Sequence, residues 1–425
     1  MSSTPSSDAV FALVDCNNFY VSCERVFDPA WRHRPVVVLS NNDGCVISRS
    51  EEAKAVGIGM AIPFHECEAL LIAHGGRAFS SNYTLYGDMS GRVMETLRRF
   101  TPEVEPYSID EAFLKFPGGA GTELGHRIRR TVRQWTGLPV SVGLGASKTL
   151  AKVANRIAKK DPTCRGVYNF ADQADPDAVL ARLATDDVWG VGRGLATRLS
   201  CRGIRTALEM KSLPDALAKR ILGTHGLQTI WELRGIPCLA VSPEFKDRKA
   251  IVHSRSFSYR VTTLQDLLEA VSEYAARAAE KLRREQAVAS YLQVHIATHP
   301  YRDEPQYSNA ASESLASPTA STPELMRLAQ QCLRRIYRPG FRFKRAAVML
   351  SGLEPGPHAQ AGLFGREGEE REAALSRTLD RMNTRWGRGT AQYAAEGIRR
   401  PWQMKRGKLS AAFTTQWGQL VEARA

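Results

Sequence analysis

Apolar positions along the chain recur with two different periods, and their succession predicts the elements. Val10 to Asp15 (VFALVD) is a short apolar run ending on an acid, the pattern of a buried strand that presents a carboxylate at its C-terminal end. Asn17 to Val26 follows as a helix. Val36 to Leu39 and Cys45 to Ser48 read as strands around the turn Asn41-Asn42-Asp43-Gly44. Ser50 caps a short helix, Ser50 to Ala55, and Gly57 stops it. Over Asn82 to Phe100, Leu85, Met89, Val93 and Leu97 recur every four residues, predicting a long helix. Val104 to Ile109 and Ala112 to Phe116 are strand-like, with Asp110 and Glu111 between them. Glu123 to Trp135 is a basic amphipathic helix, Val140 to Leu144 a strand and Ser147 to Lys160 another helix. With the insertion after the first helix set aside, the order is strand, helix, two hairpin strands, helix, strand. That is the split βαβ arrangement, an antiparallel sheet with helices on one face.

The text changes at Asp187. Val188-Trp189-Gly190-Val191-Gly192 precedes a short helix from Leu195 to Cys201, then Gly203. This resembles a helix-hairpin-helix DNA module, with backbone amides at Gly190 and Gly192 set against phosphate; an ordinary helical connector fits the same residues. Pro237 to Lys249 is a polar, Pro-containing linker candidate. Beyond it, Ile251 to Tyr259 is a strand, Leu264 to Glu285 a helix and Val288 to Thr298 a strand. A strand near Gln306 to Ser314, a helix from Pro323 to Tyr337 and a strand from Phe343 to Leu350 complete a second βαββαβ order without a sequence repeat. The loop Ser317 to Pro323 is low in complexity and expected to be mobile, and an Arg-rich tail follows a Gly/Pro-rich break after Gly352.

Composition narrows the class. With 425 residues, 43% hydrophobic and 24% charged, the chain is long enough for two to four domains of about 100–200 residues, and wholesale disorder is excluded. The 58 Lys and Arg against 44 Asp and Glu give +14, which points to a polyanion, either nucleic acid or an anionic membrane surface. No apolar run approaches the ~18 residues of a membrane span. Met1 to Asp8 lacks a basic stretch followed by an apolar core, so residues 1–9 read as a short disordered tail and not a signal peptide. The 8 cysteines are scattered without C-x-x-C spacing, which supports neither a zinc knuckle nor a redox pair; most read as small buried hydrophobes in a reducing interior. His295 and His299 lie in a strand pattern without H-E-x-x-H, and no zinc site is expected there.

Three carboxylates carry candidate chemistry: Asp15 at the end of the first strand, and Asp110 and Glu111 in Tyr107-Ser108-Ile109-Asp110-Glu111-Ala112-Phe113. In a split βαβ sheet the first strand lies beside the hairpin strands, which brings these acids to one edge. Acids gathered so would repel unless divalent cations sat among them, and two such cations about 4 Å apart serve in-line phosphoryl transfer. Solvated turn acids are the other reading of the same residues.

The surrounding text bears on that choice. Asp15-Cys16-Asn17-Asn18-Phe19-Tyr20-Val21-Ser22-Cys23-Glu24 and Tyr107 to Phe113 resemble the two signature motifs of the Y-family DNA polymerases, and Lys148 to Asn155 (KTLAKVAN) is a third match. Leu39 to Cys45, Ser80 to Tyr83, Asp187 to Gly192, Ala275 to Leu282, Gly387 to Thr390 and Trp402 to Arg406 are similar to the UmuC branch of that family, the catalytic subunits of bacterial DNA polymerase V. The resemblance runs from about Val10 to about Thr415.

The resemblance implies an α+β multidomain fold, a right-hand polymerase with a split-βαβ palm, small fingers, a helical thumb with a helix-hairpin-helix, and a βαββαβ little finger. It implies a palm over 10–22 and 76–170, fingers over 23–75, a thumb over 171–238, a linker over 239–250, a little finger over 251–353 and a C-terminal tail over 354–425. By resemblance, Asp15 and Asp110 bind two Mg²⁺ ions, Glu111 serves the catalytic one, and the Cys16 carbonyl completes the set. Tyr20 matches the aromatic steric gate, with Phe19 beneath it. Lys54 and Lys159 match positions that contact the triphosphate, and Ser48 supplies a hydroxyl. Glu51 stands where a tyrosine commonly touches the phosphates, so that role is not carried over, and Lys152 reads as structural or DNA-contacting. Gln360-Ala361-Gly362-Leu363-Phe364 resembles a sliding-clamp peptide through Gln360, Leu363 and Phe364, although Ala361 replaces the usual leucine; a linker with two exposed apolar residues fits it too.

The implied activity is error-prone translesion DNA synthesis in SOS mutagenesis, on primer-template DNA with deoxynucleoside triphosphates. The implied partners are a processed UmuD dimer, RecA with ATP and the sliding clamp, in the bacterial cytoplasm at the nucleoid and away from any membrane. A nucleotidyl cyclase with a related palm and a catalytically silent DNA-binding scaffold are the alternatives.

Overall fold

The computed structural model describes residues 9–242, 248–356, 369–387 and 389–420. The chain divides into two compact units: Met1–Ser40, Gly44–Phe245 and Lys408–Ala425 form one, and Asn41–Asp43 with Lys246–Gly407 the other.

In the first unit, β1 (Val10–Cys16) leads through Asn17 and Asn18 into α1 (Phe19–Phe27). An insertion follows: β2 (Val36–Leu39), β3 (Val46–Arg49), α2 (Glu51–Ala55), α3 (Phe64–Ala73) and β4 (Arg77–Ser80). It has its own three-stranded sheet, ordered β3-β2-β4, with β2 and β4 parallel. The boundary expected at residue 76 therefore falls inside this insertion, because β2 recruits β4 as its edge partner. Its core is small: Val37, Leu39, Val46, Ile58, Phe64 and Leu71 are buried.

The chain then returns through α4 (Tyr83–Arg98), β5 (Val104–Pro106), β6 (Glu111–Phe116), α5 (Thr122–Thr136), β7 (Val140–Gly145), α6 (Lys148–Lys160) and β8 (Val167–Asn169). The five strands are ordered β5-β6-β1-β7-β8, and β1 is central and antiparallel to both neighbours. This is the split βαβ sheet that the sequence predicts. Leu85, Met89, Val93 and Leu97 of α4 are all buried, as their spacing predicts. Gly143 in β7 permits close approach: a Cβ there would collide with the backbone of Ala151 and Asn155. Glycine at this position lets α6 lie directly on the strand.

Four further helices, α7 (Pro176–Ala181), α8 (Arg193–Ser200), α9 (Ala207–Lys211) and α10 (Asp215–Leu233), bury Leu180, Leu199, Met210 and Ile230 in a core shared with Leu150, Val153 and Ala154 of α6. Before α8, Gly190 adopts φ +87° and Gly192 is the N-cap, so both predicted glycines lie in the turn that opens this helix.

The second unit contains β9 (Ala250–Val261), α11 (Leu264–Arg284), β10 (Ala287–Thr298), β11 (Ser308–Thr319), α12 (Thr322–Ile336) and β12 (Phe343–Pro355). The βαββαβ succession is as expected, but its antiparallel sheet is ordered β11-β10-β12-β9, with the first strand at an edge instead of the centre. Ser317 to Thr319, expected in a mobile loop, belong to β11: Thr319 pairs with Ala289 of β10, and Ser321 caps α12.

The expected tail is also largely structured among the described residues. Helix α13 (Glu369–Trp386) holds Asp380 against Arg283 through two bonds of 2.7 and 2.8 Å, and Trp402 is buried beside Phe257 and Tyr274. Trp402, Tyr393 and the Arg400–Glu273 pair anchor this stretch to the core without a periodic apolar pattern. Four of the eight free cysteines (16, 23, 67 and 332) are buried.

Candidate active site

Sheet pairing assembles the three carboxylates. Asp15 on β1 is registered directly opposite Glu111 on β6, and the Cys16 amide donates to the Asp110 carbonyl at 2.8 Å. The turn before β6 is held by Ser108. Its hydroxyl donates to Asp110 Oδ1 at 2.5 Å and accepts from the Asp110 and Glu111 amides at 3.2 and 3.1 Å. Ser141 of β7 lies opposite Asp15 on the other side.

Helix α6 supplies the counter-charge. Lys159 Nζ lies 2.5 Å from Asp15 Oδ1, and Lys152 Nζ lies 3.1 and 3.2 Å from the two Glu111 oxygens. Residues seven apart are about two helical turns apart, so both lysines share one face. Arg156, one turn after Lys152 on that face, pairs with Asp187. Asn155 fixes the helix to the sheet: its buried amide donates to the carbonyls of Leu13 at 3.2 Å and Ser141 at 2.9 Å. Lys152 is further held over the rings of Tyr107 and Trp189, at 4.5 and 5.3 Å, and these two side chains bond to each other at 3.1 Å. Asp15, Glu111, Lys152, Arg156, Lys159 and Lys160 line a cleft of about 450 Å³.

Burial pushes the Asp15 carboxyl up to about 6; Lys159 opposes that rise, while Asp110 and Glu111 add to it. Among the described residues, no three His, Cys, Asp or Glu side chains are closed around one point. The donor chemistry nevertheless fits a divalent ion. Three carboxylates and the adjacent Cys16 carbonyl are hard oxygen donors of the kind Mg²⁺ takes, and two lysines here supply the positive charge these acids require. Burial pushes the Cys16 thiol far up, so the thiol stays protonated and unreactive.

Tyr20 and Phe19 occupy the first turn of α1. Phe19 is buried, and the partly exposed Tyr20 ring stacks on Tyr86 at 4.6 Å with planes 22° apart. Tyr83 meets the Tyr20 ring edge-on at 6.0 Å. Burial, then Tyr83 and Asp110, raise the Tyr20 pKa, so its hydroxyl feels the carboxylate site. Tyr86 is fully buried and donates to Glu24 at 2.7 Å.

Lys54 on α2 pairs with Glu51 at 2.6 Å, and Glu51 also accepts from Asn18 at 2.9 Å, so this acid is already engaged by two donors. Ser48 is buried and its hydroxyl accepts from the Val21 amide at 3.5 Å, which turns it toward α1. Gln360, Leu363 and Phe364 lie outside the described residues. The positions that sequence reasoning undervalued are Lys152, Arg156 and Asn155. The cationic face of α6 was legible in their helical spacing with Lys159. Tyr86 gave no such signal, since its spacing is that of an ordinary core residue.

The class follows from the fold. The structure matches a Y-family DNA polymerase chimera, Dbh-Dpo4(243-245)-Dbh, with TM-score 0.65 over 81% of this chain and 99% of that one at 22% identity. It matches Dbh DNA polymerase in an insertion ternary complex with TM-score 0.52 over 80% and 98% at 21% identity. The fold is that of a Y-family DNA polymerase.

Sequence comparison narrows this. Residues 14–156 match the impB/mucB/samB family, residues 248–363 its C-terminal domain, and residues 373–423 a domain of unknown function. The chain is 41% identical over 422 residues to Protein UmuC of Salmonella typhimurium strain LT2, covering 98% of this chain and 100% of that one. It is 40% identical to Protein ImpB of Salmonella typhimurium over 424 residues (98% and 100%), and 30% identical to DNA polymerase IV of Moorella thermoacetica over 392 residues (90% and 94%). The chain belongs to the impB/mucB/samB family, as a UmuC-like Y-family translesion DNA polymerase. Coverage of whole polymerases sets aside the nucleotidyl cyclase and the silent scaffold.

Proposed function

We propose that Asp15, Asp110 and Glu111 form the nucleotidyl-transfer centre of an error-prone, template-directed polymerase, which adds a deoxynucleotide to a primer 3′-OH with loss of pyrophosphate. The observation that carries this reading is the meeting of three carboxylates at the ends of β1 and β6, under the cationic face of α6. Asp15 and Asp110 would hold two Mg²⁺ ions, with Glu111 serving the catalytic one and the Cys16 carbonyl completing the set. When bound, the two ions activate the attacking oxygen and neutralise charge on the triphosphate and the leaving group. Lys159 leaves Asp15 for the triphosphate, and Lys54 leaves Glu51 to do the same from α2. Tyr20 fills the space of a ribose 2′-OH, and Phe19 supports it. Ser48, whose hydroxyl accepts from the Val21 amide, keeps its own proton to donate to the triphosphate.

In this reading the five-stranded unit with α4 to α6 is the palm, the insertion carrying β2 to β4 the small fingers, α7 to α10 the thumb and β9 to β12 the little finger. Gly190 and Gly192 present backbone amides to duplex phosphate. The enzyme works in the bacterial cytoplasm at the nucleoid, with a processed UmuD dimer, RecA carrying ATP, and a sliding clamp held through Gln360, Leu363 and Phe364. Among the described residues no helix is long and apolar enough to cross a membrane.

Single-nucleotide incorporation by Asp15→Asn tests the centre. The expected result is a fall in kcat of about 10³-fold or more with primer-template binding retained. Incorporation at the wild-type rate contradicts it.

A further inference from the structure

We infer that the C-terminal segment around Lys408 to Phe413, part of the domain of unknown function, braces the aromatic cluster behind Tyr20, which makes Ser410 and Phe413 positioning residues for sugar selection. The inference rests on the proposed role of Tyr20 as steric gate.

The segment is fastened to both helices that carry the cluster. Lys408 exchanges two bonds with Ser80 at the end of β4: its amide donates to Ser80 Oγ and its carbonyl accepts from the Ser80 amide, both at 2.9 Å. Two residues on, Asn82 caps α4 by accepting from the Leu85 amide at 3.2 Å. The same side chain donates to Ser410 Oγ at 3.0 Å and to the Ala411 carbonyl at 3.3 Å. Ser410 Oγ then donates to Glu24 Oε1 on α1 at 3.1 Å, the same oxygen that accepts from Tyr86 at 2.7 Å. Phe413 stacks on Phe27 of α1 at 4.9 Å with planes 5° apart. Thus α1, bearing Tyr20, and α4, bearing Tyr86, are joined through one segment distant in sequence.

A steric gate discriminates only as far as its ring resists displacement. The Tyr20 ring backs onto Tyr86, and Tyr86 is oriented by its bond to Glu24, 2% exposed and held in turn by Ser410. Taking a donor from a buried carboxylate leaves it under-bonded, and the network re-forms with a less defined Tyr86. A yielding gate admits the 2′-OH and leaves deoxynucleotide insertion almost unchanged.

The experiment compares kcat/KM for dCTP and CTP on one primer-template with the full chain. Ser410→Ala and Phe413→Leu should each lower the dCTP-to-CTP ratio by about fivefold, through faster CTP insertion, with dCTP insertion within about twofold of wild type. Ser410→Thr, which keeps the hydroxyl, should retain the wild-type ratio. An unchanged ratio in both variants, while Tyr20→Ala lowers it, overturns the inference and leaves the gate standing. Equal losses for dCTP and CTP reduce the segment to a structural role and also overturn it. An unchanged ratio in Tyr20→Ala removes the gate, and this inference with it.

Discussion

At Asp15, burial and neighbouring acids push toward the protonated form, and Lys159 pushes back. The residue is legible from sequence as the acid ending an apolar strand, and Asp110 and Glu111 as acids beside a strand. Their meeting was legible too, because antiparallel pairing of β1 with β6 leaves Asp15 opposite Glu111. The partner of each acid was less so. Lys159 was expected at the triphosphate, and in the structure it lies on Asp15, whose carboxylate it neutralises. The proposed exchange of this lysine from carboxylate to triphosphate would make Lys159 a nucleotide-binding group. Lys159→Ala should therefore raise KM for the incoming nucleotide by about tenfold, the size of one charge-assisted hydrogen bond, with a smaller change in kcat. Single-turnover kinetics with varied nucleotide checks the split, and an unchanged KM contradicts the assignment.

At the scale of elements, the long periodic ones were plain in the sequence: α4 by its four-residue spacing, and β1 and β7 by their apolar runs. What escaped was structure with no period. The Ser/Ala/Thr-rich end of β11 is held by pairing with β10 and not by apolar alternation. The segment after α13 is fixed by single anchors, Trp402 and Phe413, in an otherwise basic and Gly-containing text. The contact of α1 with α4 has a measurable pH signature. Burial pushes the Glu24 carboxyl up from 4.5 to about 7, against the donors Tyr86 and Ser410. Between those two values the folded chain binds more protons than the unfolded one, so stability falls as pH rises through that window. The loss is on the order of 3 kcal/mol when complete. Glu24→Gln, which has no proton to lose, should flatten the fall; urea midpoints at about pH 5 and about pH 8 measure it. A slope equal to wild type would show that Glu24 is not the group responsible.

At the scale of the molecule, the +14 charge divides by role. The site is acidic and served by a few lysines, while other cations gather elsewhere. In the second unit Arg260, Arg302, Arg342 and Lys344 surround a cleft of about 470 Å³. Burial, with Arg260 and Arg302 nearby, holds the Lys344 pKa down, while Glu304 pairs with Arg260. Contacts to phosphate position DNA without reading its sequence, which suits an enzyme that accepts damaged templates. DNA affinity should fall steeply with salt, and Arg302→Ala should reduce the log–log slope by about one phosphate contact, uniformly across sequences. A slope unchanged in that variant would place the DNA elsewhere. The central claim is that these carboxylates carry Mg²⁺-dependent, template-directed synthesis past damage. Primer extension on undamaged and abasic templates, with the proposed partners, a processed UmuD dimer and RecA–ATP, present, tests it most directly. Extension of both templates that requires Mg²⁺ and is lost in Asp110→Ala is the predicted result; extension that survives Asp110→Ala, or needs no divalent ion, would contradict it.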